Sequence, residues 1–344
     1  MRRAIRRAAL AVLAALLCSC SMFDYSGIVT HKYALVYGVT WYTMDTNGPN
    51  LQFPHMDASA ISAVLQSNGY TVTSRWVDGA GDVWTDGTDT HLPIGTPVAT
   101  SPDGSSYIGG GAGDGVAPSK ANILVDIQNL AGTVGPNDVL LIYFSGHGTQ
   151  DASVTPPREY FDPYASVLKD SSGNFYDYPV PSVLDNDLAT AFAAIKTPRK
   201  IVILDTCNSG GFIGNQLEAD WTPPAYLGGA SLVGPETLSQ AISNYASMQS
   251  SPTGLSPYGA QVLSAAGRDE SCYETPTLGH GVMTYYLLQG LQGSRADINH
   301  DGHVTVLEAF SYAKAGIDAN WNPNNSGSTF EPHISGGPVD FVLF

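Results

Sequence analysis

Asp138-Val-Leu-Leu-Ile-Tyr-Phe-Ser-Gly-His-Gly148 and Lys200-Ile-Val-Ile-Leu-Asp-Thr-Cys-Asn-Ser-Gly-Gly211 decide the fold. Each is an unbroken apolar run, rich in β-branched side chains, that stops at a glycine-bearing turn. A strand with one wet face alternates apolar and polar residues. A continuous apolar run needs cover on both faces, as in a parallel sheet flanked by helices. The same pattern recurs on either side of the pair. Lys32 to Val39, Tyr70 to Val77 and Gln261 to Ala265 read as further strands, and Val339 to Phe344 as a last one.

Between these runs lie stretches of helical spacing. Met56 to Gln66 places Met56, Ala60, Ala63 and Val64 on one face and stops at Asn68-Gly69, a C-terminal cap. Pro118-Ser119 opens a helix through Leu130, and Leu184 to Ile195, Gly279 to Leu291 and Val306 to Lys314 supply the others. Residues 78–117, rich in Gly, Thr and Asp without periodicity, read as a surface insertion, and residues 208–258 as a second long loop region. The expectation is an α/β unit over residues 30–344, without internal repeat. Its 37 Gly and 22 Pro, against only 13% charged residues, suit long loops on a packed scaffold rather than a disordered polyelectrolyte.

Catalysts in open α/β sheets gather beyond the carboxyl ends of the strands. Two such ends carry reactive side chains here, His147 and Cys207. Neighbouring strands lie about 5 Å apart, so the imidazole and the thiol can face each other if the two runs pair. A free thiol is mostly protonated at neutral pH, and a nucleophilic cysteine needs an imidazole to take its proton. The glycines beside both residues allow backbone N–H groups to approach a substrate carbonyl. Gly148 and Cys207 are the candidate oxyanion donors. Either residue alone would read as inert core or a satisfied loop side chain; together, at the ends of consecutive strands, they read as a dyad.

The blocks Tyr143-Phe-Ser-Gly-His-Gly148 and Ile203-Leu-Asp-Thr-Cys-Asn-Ser-Gly-Gly211 resemble the two catalytic blocks of caspase-like (clan CD, peptidase C14) cysteine peptidases, bacterial metacaspase type. Tyr33-Ala-Leu-Val-Tyr-Gly38, Pro118-Ser-Lys-Ala-Asn-Ile123 and Leu184-Asp-Asn-Asp-Leu188 extend the likeness over residues 30–344. The resemblance implies a three-layer α/β/α caspase–hemoglobinase fold with a mostly parallel sheet of about six strands. It also implies a cysteine endopeptidase working through a thioester acyl-enzyme. Asn208 stands where the family carries a second histidine. Asp57, Ser145 and Asp205 match the family's acidic S1 pocket, with Pro54 replacing its pocket cysteine. Two carboxylates converging on one pocket favour Arg or Lys at P1; Asp57 as a helix-start acid is the alternative. A scaffold without activity and a legumain-like peptidase preferring Asn or Asp are the competing functions. Asp162, Asp185 and Asp187 match by position the acids of a metacaspase calcium site, with Glu218 a substitute for the missing fourth acid.

No Lys or Arg occurs from Asn208 to Gly267, so an enzyme specific for basic residues cannot cut itself there. A single-chain, monomeric enzyme is expected, with any self-cleavage at Arg158 or Lys169. Cys272, just past the strand ending at Ala265, reads as an inert pocket-wall residue, with a reversible disulfide to Cys207 as the alternative.

The N-terminus reads as an export signal. Arg2, Arg3, Arg6 and Arg7 precede the apolar run Ala8 to Leu17, too short to span a bilayer. Leu17-Cys18-Ser19-Cys20 resembles a lipobox, which implies a signal peptide over 1–19, lipidation of Cys20, a tether over 20–29 and an outer-membrane destination; a soluble secreted product is the alternative. Without residues 1–19 the chain carries 11 basic and 31 acidic side chains, a net charge of −20. Such a surface repels nucleic acid and attracts cationic substrates or divalent metal.

Asp297-Ile-Asn-His-Asp-Gly-His-Val-Thr-Val-Leu-Glu308 fits a twelve-residue EF-hand loop. Oxygen ligands for Ca2+ fall at Asp297, Asn299, Asp301, the His303 carbonyl, Thr305 and Glu308, and Gly302 makes the turn. A solvated acidic turn capping the next helix is the alternative. A lone loop of this kind implies a structural calcium, and no organic cofactor is expected.

Overall fold

Why these runs become strands is visible in how their side chains divide between two cores. The computed structural model describes residues 31–42, 50–89, 97–100, 106–108, 116–151, 158–164, 167–169, 175–177, 183–207, 209, 260–334 and 340–344. In chain order, β1 (Lys32–Val39) leads into α1 (Pro54–Ser67), β2 (Tyr70–Val77), β3 (Val83–Thr85) and β4 (Thr88–Asp89). Next come β5 (Pro97–Thr100), β6 (Ser106–Ile108), α2 (Lys120–Ala131), β7 (Val139–Ser145), β8 (Gly148–Asp151) and β9 (Arg158–Phe161). Then follow β10 (Val167–Lys169), β11 (Phe175–Asp177), β12 (Val183–Leu184), α3 (Asp185–Phe192), β13 (Arg199–Asp205) and β14 (Ala260–Ser264). The chain ends with β15 (Glu274–Thr275), β16 (His280–Gly281), α4 (Val282–Leu291), α5 (Val306–Gly316) and β17 (His333–Ile334).

The main sheet has the order β17-β14-β13-β7-β1-β2-β3-β4. β1, β2, β7, β13 and β14 are parallel, and the three short outer strands are antiparallel. On β7, Val139, Leu141 and Tyr143 enter the core shared with α1, α4 and α5, while Leu140, Ile142 and Phe144 enter the core shared with α2 and α3. β1 and β13 divide their side chains in the same way. This makes three layers, α/β/α, and explains the unbroken apolar runs: every side chain of a central strand has a helix over it. Each buried Leu, Ile or Val contributes about 1.5–3 kcal/mol relative to exposure. The β7–β13 pairing places Ser145 opposite Asp205. His147 and Cys207 each lie two residues further on, level with each other at the carboxyl edge.

Two expectations need correction. Residues 78–117 are more than a surface insertion: β3 pairs antiparallel with β2 and β4 with β3, extending the main sheet, and β5 and β6 join a separate four-stranded sheet with β10 and β11. The last strand is also misplaced. The edge next to β14 is taken by β17, whereas Val342 makes a single bridge to Thr305 and Leu343 and Phe344 hydrogen-bond to Val304. The carboxyl end therefore clamps the start of α5 rather than extending the sheet. Counting the short edge strands, the sheet has eight strands.

Candidate active site

The site grows out of the parallel ends of β7 and β13. Backbone pairing continues past the strands, since Gly146 N–H donates to the Asp205 carbonyl (3.3 Å). Gly148 then passes tightly over the Cys207 turn. A Cβ there would meet the Cys207 carbonyl oxygen at 2.7 Å and the Thr206 side chain at 2.7–2.8 Å, so only glycine fits. The two oxyanion candidates are thus neighbours. Thr206 Oγ1 is buried, with no hydrogen-bond partner among the described residues.

Two residues that sequence reasoning missed support the pair. The Tyr42 hydroxyl accepts the His147 backbone N–H at 2.6 Å, and its ring lies 4.7 Å from the imidazole, tilted by 46°. Tyr42 thereby fixes the backbone and one side of the histidine. Ser209 Oγ donates to the Thr206 carbonyl (2.7 Å) and is approached by the Ala266 N–H (3.5 Å), tying the turn after Cys207 to the end of β14. No local pattern marks Tyr42, which lies 105 positions from His147, and although Ser209 stands inside the cysteine block, its contact with Ala266 spans 57 positions.

The thiols of Cys207 and Cys272 are 3.9 Å apart, and the Cys272 carbonyl oxygen lies 3.8 Å from the Cys207 sulfur. Cys207 has its pKa lowered to about 6, first by the Cys272 thiol and then by further hydrogen bonds from the 271–272 segment and the charge of His147, against burial. Cys272 is pushed well up, by the same thiol contact, by burial and by Asp205. The proton between the two sulfurs therefore stays on Cys272, and Cys207 is the thiolate.

Below the thiol, the three expected pocket residues do come together. Asp57 and Asp205 are 1% and 4% exposed, and Ser145 Oγ donates to Asp57 Oδ2 at 2.9 Å. Gly281 sits between the carboxylates: a Cβ there would meet Asp205 Oδ2 at 2.5 Å and Asp57 Oδ2 at 3.1 Å. Asp57 lies in the first turn of α1, where its carboxylate bonds to Ser145, His280 and Gly281. His280 Nδ1 lies 2.7 Å from Asp57 Oδ1, and the Gly281 N–H reaches both Asp57 oxygens at 3.2–3.3 Å. Thr284 donates to Asp205 Oδ2 from its N–H (3.1 Å) and its hydroxyl (2.6 Å). Burial, then Asp57, nevertheless raises the Asp205 pKa to about 7. The two acids thus differ in state. One is bonded to His280, and the other is largely protonated below neutral pH. The hairpin carrying His280 is tied to α1 by Glu274, which accepts the Gln52 and Phe53 N–H groups at 2.8 and 3.1 Å.

Comparison with known families places this geometry. The family model described as "Caspase domain" (peptidase C14) matches residues 31–322. The chain belongs to this family of cysteine peptidases. Metacaspase-3 of Trypanosoma cruzi is 29% identical over 98 residues, 28% of this chain and 25% of that protein. Metacaspase-1B of Aspergillus fumigatus is 34% identical over 96 residues, 27% of this chain and 22% of that protein. The matched segment thus spans about a quarter of the length of these curated relatives. Caspase-1 from Spodoptera frugiperda superposes with a TM-score of 0.50 at 11% identity, covering 93% of this chain and 94% of that one. That likeness extends the caspase fold beyond the short stretches of sequence identity.

Elsewhere in this caspase-family chain, the loop 297–308 has the turn expected of it. Gly302 takes φ +89°, and Asp297 accepts the N–H groups of Asp301 (3.1 Å) and Gly302 (3.0 Å). Asn299 accepts the Asp301 N–H, and Asp301 the His303 N–H. Glu308 and Thr305 form a capping box for α5, and Glu308 also accepts the Ile298 and Asn299 N–H groups. The donors are oxygens, which suits Ca2+. Their carboxylates serve the loop's own N–H groups, and among the described residues no three His, Cys, Asp or Glu side chains form a ready metal-holding group. Asp187, one of the acids considered for a second site, pairs with Lys120 at 2.6 Å. The lipobox with Cys20, Asn208, Glu218 and the Asp185 side chain lie outside the described residues.

Proposed function

We propose that this chain is a cysteine endopeptidase in which Cys207 is the nucleophile and His147 its acid–base partner. The thiolate attacks the scissile carbonyl, and the Gly148 and Cys207 N–H groups receive the developing oxyanion. The imidazolium then gives its proton to the leaving amine as the thioester forms. Water, deprotonated by the same imidazole, hydrolyses the thioester and restores the thiolate. The observation that carries this reading is the β7–β13 register, which brings His147 and Cys207 level at one sheet edge beside a thiol with lowered pKa.

Substrates with Arg or Lys at P1 fit best, because Asp57 and Asp205 form the buried floor beside the nucleophile. A cation there stabilises the ionised form of Asp205 and adds a partner to Asp57. The test uses peptidyl chloromethylketones ending in Arg, Asn or Asp, read by intact mass on wild type and on Cys207→Ala. The Arg reagent should label wild type fastest and leave Cys207→Ala untouched. Labelling by none of them would point to a scaffold without activity. Faster labelling by the Asn or Asp reagent would keep the dyad and overturn the basic pocket.

We further infer a monomeric lipoprotein held at the outer membrane through Cys20, cut before that residue. The basic residues ahead of the apolar run and the Leu17-Cys18-Ser19-Cys20 stretch support this. The acidic surface leaves no attraction for nucleic acid. Ca2+ is assigned to the 297–308 loop as a structural ion, held by Asp297, Asn299, Asp301, the His303 carbonyl, Thr305 and Glu308. The oxygen donor set and the Gly302 turn support it, and the ion takes no part in the chemistry.

A further inference from the structure

Cys272 needs a reason to stand where it does. It is not part of the Cys–His chemistry, yet its sulfur lies 3.9 Å from that of Cys207. It comes from a different part of the chain, the segment between β14 and the β15–β16 hairpin, 65 residues on. A serine or alanine would fill a pocket wall equally well, and none would offer a second sulfur to the first.

We propose that Cys207 and Cys272 form a peroxide-responsive site, in which Cys207 is oxidised by a hydroperoxide and Cys272 resolves the product as a disulfide. This inference rests on the assignment of Cys207 as the reactive thiolate. The Cys207 sulfur attacks the distal oxygen of the hydroperoxide, breaking its O–O bond, and becomes a sulfenic acid as water or an alcohol departs. The Cys272 sulfur then attacks the sulfenic sulfur, the S–S bond forms, and hydroxide leaves with the Cys272 proton as water. Two thiols lose two electrons and the peroxide gains them. The sulfurs must close by about 2 Å to reach the S–S bond length near 2.05 Å, a displacement within reach of side-chain rotation. The division of the shared proton suits both steps. Both cysteines are half-buried; Cys207 is the thiolate that attacks the peroxide, and Cys272 keeps its proton until the sulfenic acid has formed. While the disulfide stands, no nucleophile is available. A dithiol reductant returns it, and the irreversible sulfinic acid is avoided.

The experiment treats the whole purified chain with a molar excess of hydrogen peroxide, blocks remaining thiols with N-ethylmaleimide, and maps peptides with and without dithiothreitol. Wild type should give a cross-linked Cys207–Cys272 peptide two hydrogen masses below the sum of its parts, and dithiothreitol should release it. In Cys272→Ser, which keeps a hydrogen-bond donor at the position, Cys207 should instead pass to the sulfinic acid and resist dithiothreitol. Sulfinic acid on Cys207 of wild type with Cys272 still free to react would overturn the proposal. So would a Cys272→Ser protein that dithiothreitol restores as fully as wild type. Because the readout is mass, it stands whether or not the chain cleaves peptides: disulfide without peptidase activity would sink the functional reading alone.

Discussion

Asp205→Asn should make the protein more stable at pH 8 and a worse enzyme for basic substrates. The carboxyl is 4% exposed, and burial followed by the neighbouring Asp57 lifts its pKa from 3.8 to about 7. Between those values the folded chain keeps a proton that the unfolded chain has released. Stability contributed by this group is therefore full below about pH 4 and lost as pH rises through about 7. At pH 8 the interval corresponds to about 4 kcal/mol as an upper figure. Asparagine removes the charge but shares one carbonyl oxygen between the two Thr284 donors and needs an acceptor for its own amide. A net gain of about 1–2 kcal/mol at pH 8 follows, which is a few degrees in Tm. Near pH 4 the difference should vanish or reverse. In the same variant, the lost ionic contact to a P1 cation, about 1.5–3 kcal/mol, should lower kcat/KM for Arg peptides ~10–150-fold. Differential scanning calorimetry across pH 4–8, with fluorogenic Arg and norleucine peptides, checks both. A variant that melts lower than wild type at pH 8 and equally at pH 5 would refute the reasoning, since it would mean that Asp205 is ionised and compensated in the fold.

Gly281→Ala should clash with Asp205 Oδ2 at 2.5 Å and cost about 1–3 kcal/mol of stability, with a selective loss of Arg and Lys substrates in kcat/KM. Tyr42→Phe removes the acceptor of the His147 N–H, so kcat should fall about 10-fold while KM holds, measured in steady state. Iodoacetamide inactivation of wild type should rise with pH through about 6 and level off as the Cys207 thiolate forms; in Cys272→Ala the same limb should move to higher pH, because the Cys272 thiol is the first cause of the lowering. Glu308→Gln should abolish any rise in Tm that wild type shows in calcium over chelator, and an equal rise in both proteins would remove calcium from the 297–308 loop.

What could be read from sequence was whatever physics writes locally. β7 and β13 need helices on both faces, and that requirement shows as unbroken apolar runs. Their glycine-bearing ends single out His147 and Cys207. β3 and β4, three and two residues long, are shorter than any period that could reveal them. Phe341 and Leu343 are buried and Val342 and Phe344 partly so, an alternation that reads as a strand. The choice between joining the sheet and clamping Val304 is a tertiary one, and nothing near residue 340 encodes it. His280 was invisible for the same reason: it meets Asp57 across 223 residues of chain, and its role lies in the partner.

The ladder between β13 and β14 has one more consequence. Lys200 to Leu204 pair with Ala260 to Ser264, Ala265 N–H donates to the Leu204 carbonyl, and His280 and Thr284 grip the acids of α1 and β13. Every one of these contacts joins the portion of the chain before residue 208 to the portion after 259. Continuity of the backbone between them is a matter of molecularity rather than of cohesion. A cut anywhere in that interval would leave two fragments in one native body, whose unfolding, unlike that of the intact chain, would depend on concentration.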